Sequence, residues 1–185
     1  MHAVAVVAVV AVPTLVAALA GNPAPPSDSA APGGGTAGAT PVTFELTGGG
    51  LSVSAPVSAD LGSASTSSTS LSGELGEVTV DDRRGALLGS YTVTVVSTPF
   101  TTGRERPYEI GADRVAYSIP GAVEGDGTAE RAAGPGGDLA EPLAAVSVTG
   151  IVGNGTSRWT PTVTVTLPPD AVAGRYTGTI THSVA

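Results

Sequence analysis

The run Asp81 to Arg84 is the first group of residues in this chain that could do chemistry. An arginine can grip a carboxylate with two parallel hydrogen bonds, so Arg83 and Arg84 suit a ligand that carries a carboxylate. The alternative is a structural turn, in which Asp82 pairs with a nearby arginine and Gly85 supplies a positive φ. The local pattern favours the turn and leaves the ligand site as the second interpretation.

His182 is the other candidate, because it lies in a stretch that alternates Thr or Ser with apolar and aromatic residues. Side chains alternate between the two faces of a strand, so His182 shares its face with Tyr176, Ile180 and Val184. A histidine on a core face needs a hydrogen-bond partner, and a structural role is the favoured interpretation. The alternative is a ligand contact at the end of the sandwich, with Tyr91 beside it.

Catalysis and metal binding are not expected from the remaining residues. A serine or threonine nucleophile needs a positioned base, and no pair of acids is spaced for glycoside cleavage. The chain has no cysteine, and its only other histidine is His2, so neither a metal site nor a cofactor is predicted. The stretch Glu124 to Gly127 lacks regular calcium ligands and is interpreted as a solvated hairpin tip.

About eight strands are predicted to position these residues, and no convincing helical period occurs outside the first twenty residues. Each strand is indicated by alternation of apolar and polar residues between Gly-, Pro- or Ser-rich breaks. The predicted strands cover residues 42–47, 51–55, 71–80, 91–96, 114–119, 143–151, 159–167 and 175–184. The fold class is therefore all-β, an antiparallel β-sandwich of the immunoglobulin-like or jelly-roll-like kind.

The last two strands are predicted to pair as a hairpin across the Pro168–Gly174 connection. Pro161 has no N–H to donate, so the strand around it lies at a sheet edge or begins after it. Pairing would place a set of threonines on one surface, where a binding role is a minor alternative to plain β-propensity. The threonines are Thr160, Thr162, Thr164, Thr166, Thr177, Thr179 and Thr181.

The first forty residues differ in composition from the rest of the chain. Residues 1–20 contain a long Ala/Val run followed by Ala18-Leu19-Ala20, a pattern typical of a secretory signal peptide cleaved after Ala20. Residues 21–40 are rich in Pro, Gly, Ser and Ala and predict a disordered linker. The folded domain is expected to span residues 41–185, without stable membrane insertion after signal cleavage.

The net charge of −8 bears on the class of partner. An acidic chain is repelled by phosphate backbones, so nucleic acid is not an expected partner, and neither is an anionic membrane. The absence of cysteine excludes disulfides, thiol nucleophiles and lipid attachment through cysteine.

Two segments resemble a known family. Val78-Thr79-Val80-Asp81-Asp82-Arg83-Arg84-Gly85, followed by Gly89-Ser90-Tyr91-Thr92-Val93, is similar to the first signature of bacterial WxL domains. The segment from Ala173 to Val184 resembles the ending of those domains. Tyr91 and His182 stand where the family has its two motif tryptophans, and Trp159, the only tryptophan, lies in neither motif.

The WxL-like resemblance implies a secreted β-sandwich of a Gram-positive bacterium, and the composition suggests an actinobacterium. It also implies non-covalent association with peptidoglycan or another cell-wall polymer, and stem peptides of peptidoglycan carry carboxylates that Arg83 and Arg84 could bind. The expected location is therefore extracellular or cell-wall associated. The alternative is an assembly subunit that pairs an edge strand with another surface protein.

Overall fold

The computed structural model describes residues 41–103 and 107–185. The signal peptide and the linker predicted for residues 1–40 lie outside the described residues. Within them the chain is all-β and antiparallel, with a single 3₁₀ turn at Ala112–Arg114. The twelve strands in chain order are β1 Leu51–Ser54, β2 Ser70–Glu74, β3 Val78–Ser97, β4 Phe100–Thr102, β5 Glu109–Ile110, β6 Val115–Ser118, β7 Thr128–Ala133, β8 Gly137–Asp138, β9 Leu143–Trp159, β10 Thr162–Thr166, β11 Tyr176–Thr177 and β12 Ile180–Val184.

Two long strands, β3 and β9, organise the largest sheet. They pair with each other from Val78↔Trp159 to Val95↔Leu143, and β7 lies on the far side of β9. On the other side of β3, β1 pairs with its first half and β12 with its second half. The β3–β9 register shifts between Asp82 and Tyr91, where Gly85 and Leu88 adopt positive φ values. We refer to residues 83–90 as the β3 bend.

The bend lets the two halves of the ribbon share one core. Val78 and Val80 from the first half of β3 are fully buried in the same cluster as Tyr91 and Val93 from the second half. The cluster also contains Trp159 from the end of β9. Burying this many β-branched and aromatic side chains stabilises the ribbon in its bent form.

A second sheet has the order β2-β10-β6-β8, and a third, smaller one has the order β11-β4-β5. Val95 of the large sheet packs with Val115, Tyr117 and Val163 of the second sheet in another buried cluster. Two antiparallel sheets therefore face each other across a common core. The predicted all-β, antiparallel sandwich is confirmed.

Several strand predictions were wrong in extent or pairing. The predicted strand at residues 42–47 is absent, and these residues are exposed and outside every ladder. Residues 71–80 form parts of two strands, because the chain turns between Glu74 and Val78. Twelve strands are described in place of about eight, because two-residue pairings such as β5 and β8 carry no alternation that a sequence could reveal, and because the predicted strand at residues 175–184 divides into β11 and β12.

The predicted C-terminal hairpin was also wrong. The strand β10 pairs with β2 and β6, whereas β12 pairs with β3 in the other large sheet. The threonines of the two strands consequently form no common surface. β10 begins after Pro161, as expected for a residue without an N–H, but it is central in its sheet; the Pro161 carbonyl accepts a hydrogen bond from Leu75.

Candidate functional site

The charged run contains two Asp–Arg pairs with the same spacing and different surroundings. Arg84 donates from Nε and Nη2 to the two carboxylate oxygens of Asp82 at 2.9 and 2.8 Å, and its backbone N–H also binds Asp82. Asp82 is only 2% exposed. Arg83 instead pairs with Asp81 at 2.8 Å on the surface.

These contacts support the structural interpretation of Asp82 and Arg84. The side-chain hydrogen bond from Arg84 holds the pKa of Asp82 below its ordinary value, and the same bond raises the pKa of Arg84. Arg84 also donates to the carbonyl of Ser90, across the β3 bend. Gly85 has a φ of +64°, as expected for the turn. Nε and Nη2 of Arg84 are engaged internally and its side chain is 33% exposed, whereas that of Arg83 is 61% exposed, so Arg83 is the more accessible arginine.

Tyr91 belongs to a buried polar network that the sequence analysis missed. Its hydroxyl donates to Ser157 Oγ at 2.6 Å, and Arg131 Nε donates to the same oxygen at 2.9 Å. Burial raises the pKa of Tyr91. The structure therefore does not place Tyr91 beside His182, because the two side chains belong to separate networks.

A second network links three aromatic side chains through the core. Trp159 Nε1 donates to the hydroxyl of Tyr117 at 2.9 Å, and that hydroxyl lies 3.1 Å from Nε2 of His182. The N–H of a buried Trp and the O–H of a buried Tyr usually have a polar partner. This requirement could have predicted from the sequence that Trp159 donates to a buried hydroxyl. His182 is thus on the core face with a partner, as its structural interpretation required.

The direction of the protons in this network can be assigned from donor and acceptor capacity. Burial raises the pKa of Tyr117 to about 12, so its hydroxyl stays protonated near neutral pH. Burial lowers the pKa of His182, so its ring is neutral there. The indole N–H can only donate, so Tyr117 accepts from Trp159 and is free to donate to Nε2 of His182. The remaining proton of His182 is then assigned to Nδ1.

Nδ1 of His182 is buried and has no hydrogen-bond partner among the described residues. An unpaired buried donor costs free energy, so this position is unfavourable for the stability of the fold. His182 also lines a groove with a volume of about 190 Å³. The groove lies between the exposed loop 55–61 and the strand β12, and Leu61, Leu75, Phe100 and Ile180 form its apolar walls.

One edge of β12 borders this groove and is unpaired. At one end the Thr98 N–H donates to the Thr179 carbonyl, while the Thr179 N–H donates to Oγ1 of Thr98. At the other end Ala185 and Thr92 exchange two backbone hydrogen bonds. Since hydrogen bonding alternates along an antiparallel pair, the backbone groups of Ile180, His182 and Val184 point away from β3. Within the described part of the chain β12 pairs with β3 alone. We call this free row of backbone groups the β12 edge.

An apolar surface lies at the β3 bend. Leu87 and Leu88 are 81% and 77% exposed, and Val152, the register partner of Leu87, is 45% exposed. Leu88 has a φ of +59°, a left-handed conformation that is unfavourable for a residue with a Cβ. Arg83 lies on the same bend. An exposed charge and three exposed aliphatic side chains thus occur together.

The remaining acidic candidates are held at the surface. Glu124 and Asp126 lie 3.7 and 3.9 Å from Arg158, and the backbone of Glu124 forms a bridge with that residue. Over residues 41–103 and 107–185, no group of three or more His, Cys, Asp or Glu side chains comes together as a metal site. None of the helices in that part of the chain is long and apolar enough to span a membrane.

Comparison with known proteins adds no family to these observations: no family model, curated protein or solved structure matches the chain.

Proposed function

We propose that this chain is a non-enzymatic, extracellular binding domain that holds an extended polypeptide segment of another surface protein against β12. The observation that carries the proposal is the β12 edge beside a groove of about 190 Å³. An added strand gains main-chain hydrogen bonds from an open edge, and adjacent pockets select its alternate side chains. The imidazole of His182 lines the groove, where it adds a polar group to mostly apolar walls.

The polar side chains outside the groove support a role without catalysis. Asp82 is neutralised by Arg84, and Tyr91 is fixed by Ser157 in the core. Neither has a free face on which a substrate could react. The neutral His182 ring is shielded by Tyr117, and no serine or threonine hydroxyl is hydrogen-bonded to it among the described residues.

Peptide binding followed by amide hydrogen exchange tests the proposal. The probe is an eight-residue synthetic peptide in which threonine alternates with valine and phenylalanine, and the control peptide has the same composition in block order. We expect the alternating peptide to slow exchange of the Ile180 and His182 amides. No protection, or equal protection by the control peptide, would contradict the proposal.

A pair of matched variants locates the binding. Ala59 is exposed and lines the groove, whereas Ser63 is exposed and does not. We expect Ala59→Arg to raise the peptide concentration needed for protection at least tenfold, because the long side chain obstructs the groove. Ser63→Arg should leave it unchanged. Equal effects of the two variants would show that the peptide does not bind in the groove.

A second candidate function is non-covalent association with peptidoglycan or another polymer of the cell wall. The β3 bend supports it, since Arg83, Leu87 and Leu88 are all exposed within this segment. A guanidinium can bind the carboxylates of a stem peptide, and aliphatic side chains can pack against a sugar face. The resemblance to WxL domains includes this part of β3.

Co-sedimentation with isolated Gram-positive cell walls tests the second candidate. We expect the full chain to sediment with the walls and Arg83→Gln to reduce the bound fraction severalfold. Arg175→Gln is the control, because Arg175 is an exposed arginine remote in sequence from the bend. Tyr91→Ala is not informative, since Tyr91 is buried and its loss would destabilise the core. Sedimentation that is indifferent to Arg83 would contradict this candidate.

A further inference from the structure

We infer that residues 44–47 form a strap that closes over the apolar surface of the β3 bend in the same chain and masks it. The strap and this surface take no part in the strand binding proposed at β12. What the masking regulates rests on the second candidate function, which places the cell-wall contact at the bend. The closed strap then competes with the wall polymer for one surface.

The strap exposes apolar side chains in an alternating pattern. Phe44 and Leu46 are 84% and 86% exposed, and the strap belongs to no strand. They alternate with Glu45 and Thr47, so Phe44 and Leu46 share one face when the strap is extended. This is the pattern of a half-buried segment. The apolar face gains free energy when another apolar surface covers it.

The bend provides an apolar surface next to the strap. Leu87 and Val152 are register partners, so their side chains are neighbours on one face of the β3–β9 ribbon. They are 81% and 45% exposed, and Leu88 is 77% exposed. Of the eight large apolar side chains that are exposed in the described part of the chain, the strap and this surface supply five. The exposed apolar area is therefore concentrated here, which marks a contact surface.

The chain is fixed to the bend directly after the strap. Gly49 donates to the carbonyl of Arg83 at 2.6 Å, and the Arg83 N–H donates to the carbonyl of Gly50 at 2.8 Å. A Cβ added to Gly48 would lie 2.5 Å from the carbonyl oxygen of Arg84, so the backbone of Gly48 rests directly on the bend. Only glycine permits this close approach. The strap therefore begins at the surface that it covers.

The short tether brings the two apolar faces within reach of each other. Leu46 is two residues from Gly48, a reach of at most about 7 Å, and Phe44 is four residues away, at most about 14 Å. Leu87 is three residues from Arg84, so it lies at most about 11 Å from the anchor. A tethered segment acts at a high effective concentration. At low protein concentration the strap of the same chain is thus favoured over a second copy.

The charges of the strap and the bend are complementary. Glu45 is the one charged residue of the strap, and Arg83 is 61% exposed. Arg83 contacts Asp81 through Nε, which leaves its two terminal nitrogens for a second carboxylate at the margin of the closed strap. No charged residue lines the groove beside β12, so the groove offers Glu45 no such partner. Charge therefore favours the bend over the groove as the position of the strap.

Limited proteolysis of the full chain by chymotrypsin tests the closure. Cleavage after Phe44 follows the population of the open strap when opening and closing are fast. We expect Leu87→Asn to speed this cleavage severalfold, because it removes an apolar contact of the closed strap. Val57→Asn is the control, since Val57 is exposed and lines the groove, and it should leave the rate unchanged. Both positions are exposed, so neither change disturbs the core.

Each other outcome of the proteolysis would overturn the inference. Faster cleavage in Val57→Asn alone would show that the strap lies in the groove of its own chain. Equal rates in the parent and both variants would show that the strap is open, and equal acceleration in both would show no preference for the bend. Protection that increases with protein concentration would show that another copy covers the strap.

Co-sedimentation with isolated cell walls tests the masking. Leu46→Asp opens the strap and leaves the bend intact, so the bound fraction should rise severalfold above that of the parent. Thr47→Asp is the control, because it places the same charge on the opposite face of the strap and should behave like the parent. Equal, measurable binding by the parent and Leu46→Asp would overturn the masking.

Failure of the inference and failure of the second candidate function give different results. If no variant binds walls while Leu87→Asn still speeds cleavage after Phe44, the wall-binding function is wrong and the closure stands. If walls bind through Arg83 while cleavage is indifferent to Leu87, the closure is wrong and the function stands.

Discussion

Two arginines in β3 make pairs of equal length with aspartates, yet their surroundings give the pairs different energies. The carboxylate of Asp82 is buried and depends on Arg84, whereas Asp81 and Arg83 remain in water. Arg84→Ala should lower the free energy of unfolding by about 2 kcal/mol, because it leaves the buried carboxylate of Asp82 without its partner while solvent at the exposed side of the pair compensates in part. Arg83→Ala should lower it by less than about 1 kcal/mol. Guanidinium denaturation followed by Trp159 fluorescence measures both, and equal losses would contradict the assignment.

The pH dependence of stability reports on His182. Burial lowers its pKa in the folded protein below the ordinary value of 6.5. The unfolded chain then binds the proton more readily, so the free energy of unfolding should fall as the pH decreases from about 6.5 towards the folded-state pKa. Above about pH 7.5 this contribution should be constant.

Replacement of each histidine checks this expectation. His182→Gln should remove the decrease between about pH 6.5 and pH 5, as measured by denaturant unfolding at several pH values. His2→Gln should retain it, because His2 is the only other histidine in the chain. A decrease that persists in His182→Gln would show that another group is responsible.

Sequence alone predicted the local features of the candidate residues. The Asp–Arg pair and the positive φ at Gly85 depend on neighbours in sequence, and the core-facing side of His182 follows from alternation in one strand. The partners Tyr117 and Ser157 were not predicted, because each is brought to His182 or Tyr91 by pairing between distant strands. The groove was missed for the same reason: its walls come from separate elements.

At the scale of elements, the β3 bend contains an unfavourable conformation at an exposed position. Leu88 has a φ of +59°, which costs about 1 kcal/mol for a residue with a Cβ. Leu88→Gly should therefore raise the free energy of unfolding by about 1 kcal/mol, since glycine adopts this φ freely. Leu87→Gly is the control and should lower it by roughly 0.5–1 kcal/mol. Thermal unfolding of both variants measures the difference, and a destabilised Leu88→Gly would contradict the assignment.

Alternation identified most strands, but it did not identify their partners. The predicted strands at residues 159–167 and 175–184, which contain β10 and β12, follow each other with a short connection, and adjacency suggested a hairpin. Each strand instead pairs with more distant strands, β10 with β2 and β6 and β12 with β3. The same alternation at residues 42–47 predicted a strand. In the structure these residues pair with no neighbouring edge and form no strand.

At the scale of the molecule, the strands β3 and β9 connect the two core clusters. Val93 belongs to one cluster and Val95, two residues later on the same strand, belongs to the other. Residues 44–185 should therefore unfold in one cooperative transition. Val93→Ala and Val95→Ala should each lower the free energy of unfolding by about 2 kcal/mol. Coincident curves from Trp159 fluorescence and far-UV circular dichroism would confirm this, and two separated transitions would contradict it.

The pairing of β3 with β9 also bears on the speed of folding. Their partner residues are roughly 50 to 80 positions apart in sequence, so a large loop must close before the central ladder forms. Folds dominated by such distant contacts acquire their native state in milliseconds to seconds. No helix in the described residues supplies a fast local nucleus. A newly made chain consequently remains unfolded for a comparatively long time, and an unfolded polypeptide can pass through a narrow channel.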